Sequence, residues 1–168
     1  MKKLILLLLV PMVSFGQTAD DLHTSGNTKK NLKDYYGAIN DYSKAIELDP
    51  DYEPAYYNRG NAKKNLKDYK GAIEDYSKII ELDPNNTTAY NNRADAKLYT
   101  VDYYGAIRDC NIGLKIDPNS QILYITRGEA KQGLKDLNGA CADWKKAERM
   151  DSNFKTILIN EYLNKYCN

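Results

Sequence analysis

The sequence predicts an all-α solenoid of four helix-turn-helix repeats plus a C-terminal capping helix, and three observations carry that prediction. Gly26 to Pro50 matches Gly60 to Pro84 at 21 of 25 positions, 34 residues apart. A period of roughly 20–50 residues marks stacked units, none of which can bury its apolar side alone. Within one period the apolar and small residues recur twice at helical spacing, first Tyr56, Gly60 and Ala62, then Ala72, Ile73, Tyr76, Ile79 and Ile80. The second run stops at Leu48-Asp49-Pro50, Leu82-Asp83-Pro84 and Ile116-Asp117-Pro118, because proline lacks an amide donor and pushes the preceding residue out of helical geometry.

The chain opens on Met1-Lys2-Lys3, an apolar run from Leu4 to Val13, and Ser14-Phe15-Gly16. These are the charged, apolar and small-residue regions of a secretory signal peptide over 1–16, with cleavage expected before Gln17. The run is too short to cross a hydrocarbon layer of about 30 Å, and no cysteine follows the cleavage point to take a lipid. The expected product is exported, periplasmic or secreted, with no integral membrane segment after cleavage. Without Lys2 and Lys3 it holds 22 basic side chains against 23 acidic ones. That balance gives no general attraction to nucleic acid or to an anionic membrane.

The mature chain, 17–168, reads as one domain of repeats at 19–52, 53–86, 87–120 and 121–154. The linker Leu66-Lys67-Asp68-Tyr69-Lys70-Gly71, echoed by Asp34-Tyr35-Tyr36-Gly37 and Asp102-Tyr103-Tyr104-Gly105, is short and forces its two helices antiparallel. Asn85-Asn86-Thr87-Thr88 holds overlapping glycosylation patterns but reads as a polar turn between repeats. In the last copy Asp151-Ser152 replaces the proline stop. A final segment, 155–168, with Ile157, Leu158, Tyr162, Leu163 and Tyr166 as apolar members, is the expected cap over the last hairpin.

Small Gly60, Ala94 and Gly128, then Ala72, Ala106 and Ala140, then Pro84 and Pro118 resemble the tetratricopeptide repeat (TPR) across 19–154, in an exported, bacterial-looking form. Tyr42, Tyr76 and Trp144 are expected to fill the space between helices, with Tyr35, Tyr69 and Tyr103 at the hairpin turns. The sequence departs from that family by placing Arg59, Arg93 and Arg127 at a usually aliphatic position, and Lys29, Lys63, Lys97 and Lys131 where tyrosine is common. Asp41, Asp75, Asp109 and Asp143 recur in the second helices. Two readings stand: a structural one that pairs Arg59 with Asp75, Arg93 with Asp109 and Arg127 with Asp143, and a ladder of arginines facing the groove for an anionic ligand.

Export makes a disulfide between Cys141 and Cys167 plausible if the last helix runs antiparallel to the one before it, with Cys110 a small buried residue. The cysteine spacing does not resemble a zinc site. His23 is the only histidine and reads as an exposed first-helix residue. The sequence contains no phosphate loop, EF-hand loop or nucleophile elbow, and Glu81 with Asp83 reads as a solvated helix end. The expectation is a protein without catalysis, cofactor or metal.

The resemblance implies that the first helices line a concave groove, which places Thr24, Asn27, Asn58, Asn61, Asn91, Asn92, Asp95, Thr126 and Glu129 on or near it, with Tyr57 and Ile125 for apolar contact. Carboxamides offer a donor and an acceptor, which suits the alternating groups of an extended peptide. The clamp by which some members grip a chaperone's C-terminal carboxylate is incomplete here. Asn27 and Asn58 match it, but His23, Thr88 and Asn92 occupy its cationic positions. The expected function is an exported adaptor that binds a peptide or protein partner. The alternatives are a structural subunit of an envelope assembly or homo-oligomer, and an accessory subunit of a cell-wall or glycan enzyme.

Overall fold

The structure is a computed structural model and describes residues 16–150 and 155–167, with side chains from Ile159 onward in the second segment. The signal peptide expected at 1–16 lies outside the described residues except for Gly16, as do Asp151 and Ser152. The described residues form nine helices and no strand. Their order is α1 Ala19–Asn31, α2 Tyr35–Leu48, α3 Glu53–Asn65, α4 Tyr69–Leu82, α5 Thr87–Tyr99, α6 Tyr103–Ile116, α7 Gln121–Gly133, α8 Leu137–Glu148 and α9 Lys155–Tyr166.

Each within-hairpin turn is tighter than the six-residue linker read from sequence, because its aspartate already starts the second helix. Asp34, Asp68, Asp102 and Asp136 are N-caps whose carboxylates accept the N–H of Gly37, Gly71, Gly105 and Gly139. That satisfies one of the unpaired donors of a helix start. Tyr69-Lys70-Gly71 is therefore the first turn of α4. The carboxylate folds so closely over the glycine that a Cβ at Gly71 would also crowd Lys63 Cδ at 3.0 Å.

The residue before each capping aspartate closes the first helix in the left-handed region. Lys33, Lys67, Val101 and Lys135 all have φ of 63°. The next amide reaches back to the last turn of that helix, as in Asp34 N–H to Lys29 O at 2.9 Å and Asp68 N–H to Lys63 O at 2.9 Å. This is the Schellman closure, normally given to glycine because a side chain there is strained. At the far end of each second helix, Asp49, Asp83 and Asp117 accept the amide of the residue two ahead, Asp51, Asn85 and Asn119. The aspartate before each proline thus orders the turn between repeats.

The core is segmented like the sequence. Leu22, Ala38, Tyr42 and Ala45 of the first hairpin bury against Ala55 and Ala62 of α3, and the pattern advances one hairpin at a time to α7. Every unit thus finishes its core on its successor. The last successor is α9, whose Ile159 is buried with Ile125, Ala140, Trp144 and Ala147. Tyr162 stacks on Trp144 at 4.7 Å between centroids. Cys141 of α8 and Cys167 are joined by a disulfide with Cα atoms 5.7 Å apart, and closing a loop of that size stabilises by about 3 kcal/mol in the chain-entropy picture. Cys110 is buried and free, its thiol pushed up to about 12 mainly by burial.

Small residues set how closely the helices of a hairpin approach. A Cβ at Gly26 would lie 2.5 Å from Tyr42 Cε1, and one at Gly60 2.9 Å from Tyr76 Cε1. At Gly128 it would strike the Trp144 indole. In the third hairpin the facing residue is Cys110, and the glycine is replaced by Ala94.

Candidate functional site

The repeated cations and aspartates build a ladder inside the hairpins. Arg59 meets Asp75 at 2.6 Å, Arg93 meets Asp109 at 2.7 Å, and Arg127 meets Asp143 at 2.6 Å. One helical turn further on, Lys63, Lys97 and Lys131 reach the same carboxylates at 2.9, 2.8 and 2.7 Å. Sequence reasoning did not assign these lysines, although their i,i+4 spacing from the arginines was visible. All four aspartates are buried, so each needs such partners to remain charged. Arg59, Arg93 and Arg127 also donate to Ser43, Ser77 and Asn111 on the second helix of the preceding hairpin and lie over Tyr56, Tyr90 and Tyr124 at 5.4, 5.7 and 5.3 Å. The arginines thus pair with the aspartates that the structural reading names, and they also tie each hairpin to the one before it.

The first hairpin carries a variant of this ladder. Ser25 stands at the arginine position and donates to Asp41 at 2.6 Å, beside Lys29 at 2.6 Å. Burial pushes the Asp41 carboxyl up, but these two hydrogen bonds and the Lys29 charge outweigh it and hold it below the usual range.

With the cations engaged inside, the face made by α1, α3, α5 and α7 is lined mostly by uncharged groups. Asn27 and Asn61 accept the hydroxyls of Tyr42 and Tyr76 at 2.9 and 2.8 Å. Asn58 accepts from Lys30 Nζ at 2.8 Å and meets His23 Nε2 at 2.9 Å. His23 also lies against Tyr52 and is partly buried, not the exposed residue read from sequence; burial is the main cause that lowers its pKa. Thr126 is buried and donates to Asn91 Oδ1 at 2.9 Å, and the adjacent Ile125 is buried too. Tyr57 is partly buried on the same helix as Asn58 and Asn61. Asn92 is the exception: its Nδ2 is buried without a hydrogen-bond partner among the described residues.

Positions 27, 61, 95 and 129 are equivalent, and the row changes from amide to carboxylate in its second half. Cys110 has no hydroxyl to offer Asp95, which pairs instead with Lys64 of α3. Glu129 accepts the Tyr162 hydroxyl of α9 at 2.6 Å. Burial raises the Glu129 pKa, the Tyr162 hydrogen bond opposes the rise, and the Asp95 charge adds to it.

Around these carboxylates the face carries two adjoining depressions. One of about 370 Å³ is lined by Asn61, Lys64, Asn65, Tyr69, Asp95 and Tyr99. The next, about 380 Å³, shares Asp95 and Tyr99 and continues over Leu98, Tyr103, Glu129 and Gly133 to Tyr162. Tyr99 stands 60% exposed on the boundary and stacks on Tyr69 at 4.5 Å. Tyr103 lies where a Cβ on Gly133 would come within 2.5 Å of its ring. These tyrosines were not among the groove residues singled out from sequence, because Tyr99 occupies a position filled elsewhere by Asn31, Asn65 and Gly133. No group of three or more metal-ligating side chains occurs among the described residues, and none of their helices is long and apolar enough to cross a membrane.

Comparison with known proteins agrees with this architecture. A tetratricopeptide repeat model matches residues 54–86 and a TPR repeat model matches residues 26–67. Among solved structures, MamA 41-end from Desulfovibrio magneticus RS-1 superposes with a TM-score of 0.76 at 18% identity, over 90% of this chain and 94% of that one. TTC0263, a thermophilic TPR protein of Thermus thermophilus, gives 0.71 at 17% identity over 89% and 81%. The first TPR of Spaghetti (RPAP3), bound to the HSP90 peptide SRMEEVD, gives 0.66 at 27% identity over 71% and 94%. No curated protein matches.

Proposed function

We propose that this chain, a tetratricopeptide-repeat protein and as such a protein-interaction module, is an exported adaptor that holds an extended segment of a partner protein against the face of α1, α3, α5 and α7. The observation that carries the reading is the pair of adjoining depressions on that face, sharing Asp95 and Tyr99. Their walls mix aromatic rings with polar donors and acceptors, a lining suited to a peptide backbone and its side chains. The RPAP3 domain, solved with a peptide, supports the same use of the fold. The resemblance to interaction modules such as the peptide-bound RPAP3 domain supports a non-catalytic role. Export is supported by the leader pattern of Met1 to Gly16 and by the Cys141–Cys167 disulfide, a bond that persists in oxidising compartments.

The test is affinity capture from envelope extract with the native protein and with a variant carrying Asn58→Ala, Asn61→Ala and Asn92→Ala, read by mass spectrometry. A partner held by the first and lost by the folded second supports the adaptor. Equal capture by both removes the groove from the account. N-terminal sequencing of the exported protein is expected to begin at Gln17. A second reading, self-assembly, is favoured by Leu32, Tyr36, Val101 and Tyr104, which stand 67–77% exposed on the hairpin-turn edge. A mass that rises with concentration and falls on Tyr36→Ser with Tyr104→Ser would select it.

A further inference from the structure

We propose that the depression between α5, α7 and α9 is a socket for a lysine or arginine side chain, so that the partner segment is basic. This rests on the groove reading above and specifies its ligand. Two carboxylates would not by themselves make a site, but here they line an open depression whose other lining is mainly aromatic and apolar. Among the described residues Asp95 and Glu129 are the only charged ones lining it, and the remaining wall is mainly Leu98, Tyr99, Tyr103 and Tyr162. Lys64 takes Oδ2 of Asp95 and Tyr162 takes Oε1 of Glu129, which leaves each carboxylate a second oxygen for an incoming donor. Tyrosine ring faces attract a cation, and a long aliphatic stem packs against Leu98 and the rings while its head reaches the acceptors.

The socket exists because this part of the array departs from the repeat in three places. Cys110 replaces the tyrosine that ties up the equivalent Asn27 and Asn61, so no hydroxyl holds Asp95 from below. Gly133 replaces the larger residue found at Asn31, Asn65 and Tyr99, which opens the space beside Tyr103. Finally α9 adds Tyr162 to the far wall, and its hydroxyl donates to the half-buried Glu129. A carboxylate kept partly from water gains more from a bound cation than a solvated one, and its raised pKa reports that shortfall. The same charges disfavour an acidic tail such as the SRMEEVD peptide seated in the RPAP3 domain.

The experiment measures binding of oriented peptide pools to the full protein, the central residue fixed as Lys, Arg, Glu or Leu and the flanks drawn from Gly, Ser, Ala and Leu. The Lys and Arg pools are expected to bind about 10-fold more tightly than the Glu and Leu pools. Glu129→Gln, which keeps the shape and an acceptor for Tyr162, should erase most of that preference. Tyr99→Ala, at an exposed ring, should weaken the Lys and Arg pools several-fold, with circular dichroism confirming the fold of both variants. Pools that bind equally, or a preference untouched by Glu129→Gln, overturn the socket and leave the groove standing. Absence of binding by every pool overturns both.

Discussion

The second and third hairpins follow one backbone plan but distribute their polar groups differently. In the second, Tyr76 fills the space over Gly60 and sends its hydroxyl to Asn61, so the side chain at the groove is held from below. In the third, Cys110 faces Ala94, no hydroxyl reaches the groove, and Asp95 reaches across to Lys64 of the preceding hairpin. Both hairpins keep the same Arg-Lys-Asp ladder, Asp N-cap and left-handed turn residue. What holds a hairpin is constant, therefore, while the filling between its helices is free to vary, and that variation sets which groups a ligand meets.

The largest effect should come from what the two hairpins share. Asp75→Ala and Asp109→Ala each leave an arginine and a lysine partly buried without their carboxylate, at a cost of roughly 3–5 kcal/mol. Chemical denaturation should show similar losses for both; a loss confined to one would mean that the ladder does not act alike in the two hairpins. Next, Gly60→Ala should destabilise by about 1–3 kcal/mol because the new methyl meets the Tyr76 ring at 2.9 Å. The third hairpin already accommodates that methyl at Ala94, so Tyr76→Cys combined with Gly60→Ala should recover part of the clash in a double-mutant cycle.

A smaller effect is expected from Tyr76→Phe, which removes the hydroxyl bond to Asn61 and should cost about 1 kcal/mol. It would make the second hairpin resemble the third at this position, and a shifted Asn61 amide resonance in NMR would report the release. The smallest effect should come from the turns. Val101→Gly relieves a β-branched residue at φ 63° and should stabilise by up to about 1 kcal/mol after the entropic cost of glycine. Lys67→Gly should gain less, since an unbranched side chain suffers less there. Thermal unfolding that shows Val101→Gly to be destabilising would place that valine in a packing role, which its 67% exposure argues against.

The repeat, its helices and their stops were legible in the sequence, because a solenoid makes each local pattern recur and neighbouring copies check one another. The pairing of Arg59, Arg93 and Arg127 with Asp75, Asp109 and Asp143 was legible for the same reason, since 16 residues separate each pair. The lysines of that ladder were not assigned, because a cation on a helix surface reads as solvated until the opposite helix is in place. Tyr69 and Tyr99, far apart in the chain yet stacked at 4.5 Å, belong to different hairpins, and no spacing within one repeat foretells their meeting.

The sequence by itself thus determined the all-α array and the register of each hairpin, since those follow from local periodicity and capping. Only the tertiary structure decided which polar groups beyond those arginine–aspartate pairs satisfy one another and which face outward. The replacement of a tyrosine by Cys110 frees Asp95, and α9 brings Tyr162 onto Glu129. Such outcomes depend on distances between helices that meet only once the stack is built.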